Sequence, residues 1–245
     1  MSQIDSERTG FERLPLIDQL SIVRHGTVLF ARMLDAVDDG ALDSATLLPD
    51  WTRRHLVAHV SYNALALGRL LQWAETGIET PMYSSPQARA AEIAEGAVLD
   101  PHALRKLFAD SVIQLDARWN SLPTAAWNAP VRTVQGRVVP AAATIWLRAR
   151  EVWIHATDLN FGAGFDAIPD IVLDGLLTDM LAKWRAVTDQ AVPPVVLAIT
   201  GRKPIPVGDD GAVVRGDLSA IVRWLAGRGD DHLLARPAVT PPRWL

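Results

Sequence analysis

Up to residue 162 the chain is a succession of long segments with apolar residues at helical spacing, and after Gly164 that texture stops. From about Leu14 to Val37, the residues Leu16, Leu20, Val23, Met33, Leu34 and Val37 fall on an approximate helical stripe, ended by Asp38-Asp39-Gly40. A second helix is expected from about Thr52 to Glu75, with Asp50 or Thr52 as N-cap and Gly77 as its stop. Residues 78–98, broken by Pro81, Pro86 and Gly96, read as a long loop or a broken short helix, the kind of segment that often binds or covers a ligand. Asp100-Pro101 opens a third helix to about Ser121, since Asp suits the N-cap and Pro the first helical position. A connector with Pro123, Pro130 and Gly136 leads to a fourth, from near Pro140 to Gly162. Four helices with one long excursion predict a four-helix bundle.

Beyond Gly164 a helix over about 168–190 is followed by short β-branched runs, VPPVVLAIT, KPIPVG and GAVVRG, which read as strands. Asp217 to Ala226 is an amphipathic helix capped by Asp217 and stopped at Gly227, and ARPAVTPPRWL is an extended Pro-rich tail. The fold class expected is therefore α+β in two domains, a four-helix bundle over 1–165 and a smaller α+β domain over 166–245.

The bundle offers one constellation with chemistry in it. The segment TIWLRAREVWIHATDLNFG carries Glu151 and His155 four residues apart. On a helix that spacing puts both side chains on one face, roughly 5–6 Å apart at Cβ. A carboxylate and an imidazole converging on one point suit a borderline divalent metal such as Zn²⁺. By itself the pair also reads as a surface ion pair. The second helix adds HLVAH, with His55 and His59 again at i, i+4. One of them completes a three-ligand set with an open position, the pattern of a catalytic zinc, and two histidines with one carboxylate would also hold Fe(II). His59 shares its face with Leu56, Val60 and Asn63, toward the expected bundle interior; a hydrogen-bonded core histidine is the alternative for either. Asp158, three residues after His155, is placed to orient that imidazole. Arg148 and Arg150 flank the pair and read as salt-bridge partners.

Composition removes several function classes. A net charge of −4 with mixed signs leaves no basic footprint for nucleic acid. No apolar run approaches the ~20 residues of a membrane span, and the polar start MSQIDSERTGFER has no signal-peptide core, so a cytoplasmic protein is expected. Cysteine is absent, so any thiol chemistry must come from a diffusible cofactor.

WTRRHLVAHVSYNA from Trp51, ETPMYSSPQAR from Glu79, REVWIHATDL from Arg150, IVRWLAGRG from Ile221 and the terminal PPRWL resemble the mycothiol-dependent maleylpyruvate isomerases, and the resemblance runs nearly end to end. It implies a DinB-like metal-binding bundle followed by an α+β domain, with a metal triad of His59, Glu151 and His155 and His55 outside it. It also implies a catalytic arginine in the second domain, Arg228 by the G-R-G motif, with Arg223 as rival. Arg89 and Tyr83, in the excursion, are candidates for contacts to mycothiol or substrate.

The reaction so implied is cis-to-trans isomerisation of maleylpyruvate to fumarylpyruvate in gentisate breakdown. A conjugated double bond must become transiently single. Reversible addition of mycothiol's thiolate achieves this, a borrowed nucleophile in a cysteine-free chain. The metal, Zn²⁺ by its donors, would either activate the thiol or polarise the substrate's oxygens. A dicarboxylate substrate calls for a bidentate arginine, the role assigned to Arg228. A mycothiol S-transferase would keep the triad and differ in 78–98 and at Arg228. A zinc-stabilised regulatory module would ordinarily use cysteine ligands, which this chain lacks.

Overall fold

Among the described residues before Gly162 there are five α-helices, not four: α1 (Leu16–Ala36), α2 (Arg53–Thr76), α3 (Pro86–Ala97), α4 (Pro101–Ser121) and α5 (Ala143–Asp158). They belong to a computed structural model that describes residues 9–186, 194–235 and 239–242. The chain divides into two compact units, Pro15–Gly162 and a second that joins Ala163–Leu245 to the lead-in ending at Leu14.

Within the first unit, α1 lies along α5, while α2 packs on α3, α4 and α5. The core gathers Phe30 and Leu34 of α1, Leu56, Val57 and Val60 of α2, and Leu104 and Phe108 of α4. Phe30 and Phe108 meet with ring centroids 5.0 Å apart and tilted by 36°. Burial of such side chains contributes about 1.5–3 kcal/mol each, which makes the stripe the main force that sets helix against helix.

The excursion 78–98 contains a complete helix of 12 residues, α3. Ser85 caps it, accepting from the Ala88 N–H at 3.0 Å, and Pro86 opens it. Gly96 lets it dock: a Cβ there would lie 2.7 Å from the Ala58 Cβ and 2.9 Å from the Tyr62 ring. Thus the short helix is held against α2 beside His59. Asp100 caps α4 as its sequence predicts, accepting from Ala103 N–H at 2.9 Å. Thr52 occupies the N-cap position of α2 without bonding a backbone N–H; its hydroxyl pairs instead with His55 Nδ1 at 2.8 Å.

Two further departures concern α5. Its approach is an antiparallel two-stranded ribbon, β1 (Pro130–Arg132) with β2 (Val138–Pro140), where only a connector was expected. Its end comes at Asp158 and not Gly162, with Asn160 at φ 51° and Gly162 at φ 80°. The cause is Arg53. Its guanidinium donates to Leu159 O at 2.7 Å, Asn160 O at 3.0 Å and Ala41 O at 2.9 Å. A buried cation on the last carbonyls of a helix satisfies orphan acceptors and complements the negative end of the dipole.

The second unit contains α6 (Asp170–Ala186), β3 (Val195–Ile199), β4 (Ile205–Val207), β5 (Ala212–Gly216) and α7 (Leu218–Leu225). The sheet order is β4-β3-β5, with β3 antiparallel to β4 and parallel to β5 in the register Val195↔Ala212 to Ile199↔Gly216. Helix α7 packs on α6, where Trp224 meets Trp184 at 5.8 Å. Asp217 takes the N-cap position of α7 without a side-chain cap bond. The expected helical residues 187–190, Val192 and Pro193 of the first strand run and much of the ARPAVTPPRWL tail lie outside the described residues.

Candidate metal centre

The buried face where α2 meets α5 brings His59, Glu151 and His155 together. His59 Nε2 lies 3.0 Å from Glu151 Oε2, and His155 Nε2 lies 3.2 Å from the same oxygen. The two imidazole rings stand edge to face, centroids 5.1 Å apart at 81°. Both histidines are buried, and the Glu151 side chain is 12% exposed. Arg53 fixes this geometry from one end by tying the start of α2 to the end of α5. That role was not read from the sequence, where an arginine in an R-R pair gives no sign that it is buried.

His155 is oriented from behind. Its Nδ1 pairs with Asp158 Oδ2 at 2.8 Å, and the Asp158 side chain is fully buried. A carboxylate on one ring nitrogen fixes the tautomer and turns the other toward a metal. His59 is framed differently: the Trp51 ring meets it edge-on at 5.3 Å, and Arg89 Nη2 lies 3.3 Å from its Nδ1. With a guanidinium beside it, Nδ1 serves as acceptor and Nε2–H donates to Glu151 in the metal-free site.

The electrostatics follow. Burial opposes ionisation of Glu151, but hydrogen bonds from His155 and His59 outweigh it and hold the carboxyl well below its ordinary range. Burial likewise works against protonated His155, yet Asp158 and Glu151 prevail and raise its pKa. For His59 burial wins over the hydrogen bond to Glu151, and the pKa is lowered. Without metal, the surroundings therefore favour the carboxylate form of Glu151, push His155 toward its protonated form and push His59 toward its neutral one.

The donor set fits a divalent ion. One ligand atom from each of the three residues lies within 4.8 Å of the others, and no other group of three or more His, Asp or Glu donors occurs among the described residues. Two nitrogens and one oxygen suit zinc, and three protein ligands leave a position open to a small molecule. His55 does not join them: it is half-exposed one turn earlier and paired with Thr52.

The other sequence candidates fall in two places. Arg89, on α3, reaches the centre through His59, and Tyr83 lies half-buried just before α3, with the Arg69 guanidinium 6.0 Å from its ring. Burial pushes the Tyr83 phenol up to about 12 against the opposing pull of Arg89, and Glu151 adds to the rise. Arg228 and Arg223 belong to the second unit. Arg228 is buried in a turn between Gly227 (φ 76°) and Gly229 (φ 94°), left-handed positions that favour glycine, and its Nη1 donates to Ala226 O at 2.5 Å. Arg223 is engaged with Asp231 at 3.1 Å. Arg148 is not the salt-bridge residue expected: it is fully buried, and its Nη1 donates to Val60 O at 2.6 Å and Asn63 Oδ1 at 2.9 Å.

Comparison with known proteins adds a lineage. The family model for the mycothiol maleylpyruvate isomerase N-terminal domain matches residues 23–160. A solved mycothiol-dependent maleylpyruvate isomerase is 45% identical, aligned over 97% of this chain and 100% of its own, with a TM-score of 0.91. A histidine-to-alanine mutant of such an isomerase aligns over the same shares at 44% identity and a TM-score of 0.91. No curated protein sequence matches the chain.

Proposed function

The chain belongs to the mycothiol maleylpyruvate isomerase family, and from that membership we infer that it is a cis–trans isomerase converting maleylpyruvate to fumarylpyruvate with mycothiol as its thiol. The observation that carries this reading is 45% identity over 97% of the chain to a solved enzyme of that activity. The His59–Glu151–His155 cluster supports it with the one polar centre of the bundle that can hold a divalent metal, for which Zn²⁺ is the ion that best suits two imidazoles and a carboxylate.

When bound, such an ion supplies Lewis acidity and lowers the pKa of a coordinating thiol or water. Mycothiol would supply the thiol nucleophile that the cysteine-free chain lacks, for reversible addition to the conjugated alkene. The protein's own residues hold and orient. Glu151 remains anionic under its two hydrogen bonds, and Asp158 keeps the His155 ring turned so that Nε2 faces the centre. Arg89 and Tyr83 are proposed to contact the thiol cofactor or substrate, on the strength of Arg89's approach to His59 and the field that Glu151 exerts at the Tyr83 phenol. Arg228 is proposed as the catalytic arginine that grips a substrate carboxylate. In its favour, the G-R-G motif sets Arg228 in a turn between two left-handed glycines.

Purified protein assayed with maleylpyruvate, with and without mycothiol, tests the activity. Isomerisation is expected only with the thiol, and an equal rate without any thiol overturns the reading. Arg228→Lys should lose most of the turnover while keeping its metal, because an ammonium cannot reproduce the bidentate fork. Near-normal turnover in that variant would remove Arg228 from the mechanism.

A further inference from the structure

The two histidines of the cluster turn the same atom toward Glu151. His59 Nε2 and His155 Nε2 lie 3.0 and 3.2 Å from one carboxylate oxygen, so Nε2 is the nitrogen that each ring offers to a metal. Behind the rings the two differ. His155 Nδ1 has Asp158 Oδ2, an acceptor, at 2.8 Å. His59 Nδ1 has Arg89 Nη2 at 3.3 Å, and a guanidinium can only donate.

A neutral imidazole carries one N–H. With Nε2 given to a metal the proton must sit on Nδ1, where it ordinarily finds a carboxylate, a backbone carbonyl or water. His155 has its acceptor built in. Among the described residues His59 has none, since its hydrogen-bond partners are Glu151 on the metal side and Arg89 behind. Arg89 in turn lacks a counter-charge: His59 is the one hydrogen-bond partner of its guanidinium among the described residues, and no carboxylate there pairs with it. Two nitrogens at this spacing can donate to one oxygen at ordinary charge-assisted lengths of about 2.7–2.9 Å. Arg89 is only half-buried, and its neighbours Gln87 and Ala90 on α3 are exposed.

We propose that Arg89 and the Nδ1–H of metal-bound His59 together receive a carboxylate of the small-molecule ligand, which gives His59 the acceptor that Asp158 gives His155. The choice of a carboxylate rests on the isomerase reading, whose substrate is a dicarboxylate, and the tautomer rests on the His59–Glu151–His155 triad. One consequence is linkage. The carboxylate bonds a metal ligand, so metal and carboxylate must each tighten the other by the same factor.

The test uses the full-length protein loaded with Co²⁺ and titrated with succinate, a dicarboxylate with no double bond to isomerise. Imidazole N–H protons beside Co²⁺ resonate far outside the ordinary NMR spectrum, and those held by an acceptor exchange slowly enough with water to be seen. One such signal, from His155 on Asp158, is expected without succinate, and a second, from His59, should grow in saturably with it. Succinate should also tighten the metal about 10-fold in a competition titration. Arg89→Met should keep Co²⁺ and the His155 signal and lose both succinate effects. Arg89→Lys, which keeps the charge without the planar fork, should show both weakened, and it keeps the test decisive if Arg89→Met does not fold. None of these readouts uses turnover, so an inactive isomerase would leave them standing. Failure to bind Co²⁺ stoichiometrically would remove the triad and this site with it. Stoichiometric Co²⁺ without a succinate-dependent second signal, or succinate effects undiminished in either variant, would overturn the carboxylate site alone; the latter would place the anion on the metal.

Discussion

Two buried charges one turn apart on α5 are handled in opposite ways. On the α2–α5 seam Glu151 receives two imidazoles, each with its own partner behind it, Asp158 for His155 and Arg89 for His59. Arg148, one turn earlier on the same helix, gives one terminal nitrogen to Val60 O and Asn63 Oδ1 and keeps the other, buried, without a hydrogen-bond partner. The lesson is that burial alone does not mark a functional group. What distinguishes these two is the state of their partners: the carboxylate's ring of nitrogens can be shared with a cation, whereas the guanidinium retains an unused donor.

The comparison breaks most severely at His59. His59→Ala should abolish stoichiometric metal binding and isomerase activity. His55→Ala, one turn away and outside the cluster, should retain metal. Metal analysis of both variants checks this, and full metal content in His59→Ala would dismantle the triad. A smaller effect is expected from Asp158→Asn, which keeps the shape and removes the charge behind His155: about 10- to 100-fold weaker metal affinity in a competition titration. Wild-type affinity there would mean that Asp158 only fills space.

The mildest probe is the pH dependence of stability in the chelated protein. The pKa of His155 is raised above 6.5, so its contribution is complete below that value and is lost as pH climbs through the raised one. The pKa of His59 is lowered below 6.5, so the unfolded chain takes up its proton first, and stability declines as pH falls from 6.5. Glu151, held well below 4.5, contributes above 4.5 and withdraws as pH falls through its folded value. Thermal melts should therefore show a maximum near 6.5 that His59→Ala flattens on its acid side; an unaltered acid limb would contradict the neutral, buried assignment.

Much of the bundle was legible because periodicity and punctuation agreed. The stripes of α1 and α2, the Asp100-Pro101 start and the stop at Gly77 are local signals, and the fold uses them locally. The convergence of Glu151 with His155 follows from helical spacing, and the apolar company of His59 indicated its inward face. Helix α3 was obscured because prolines and a glycine break its surroundings. Only the fold reveals that Gly96 is there for close approach to Ala58 and not as a break. The β1–β2 ribbon is three residues a side with proline at each outer end, too short for alternation to register. Arg53 and Arg148 were hidden for a different reason. A charged residue in a helix is read as solvated unless its acceptors are known, and theirs are backbone and amide oxygens supplied by tertiary contacts. The motif that singles out Arg228 is legible, but its reach to a substrate depends on how the two units meet.

His59 and Glu151 lie 92 residues apart in the chain. An unfolded polypeptide therefore offers an ion only local pairs such as Glu151–His155 or His55–His59, and the complete site exists only after α2 and α5 have docked. Each tenfold rise in free metal above its dissociation constant then adds about 1.4 kcal/mol to the folded state by mass action. The melting temperature becomes a gauge of metal supply, and a cell short of the ion would hold this protein not merely inactive but closer to unfolding and proteolysis.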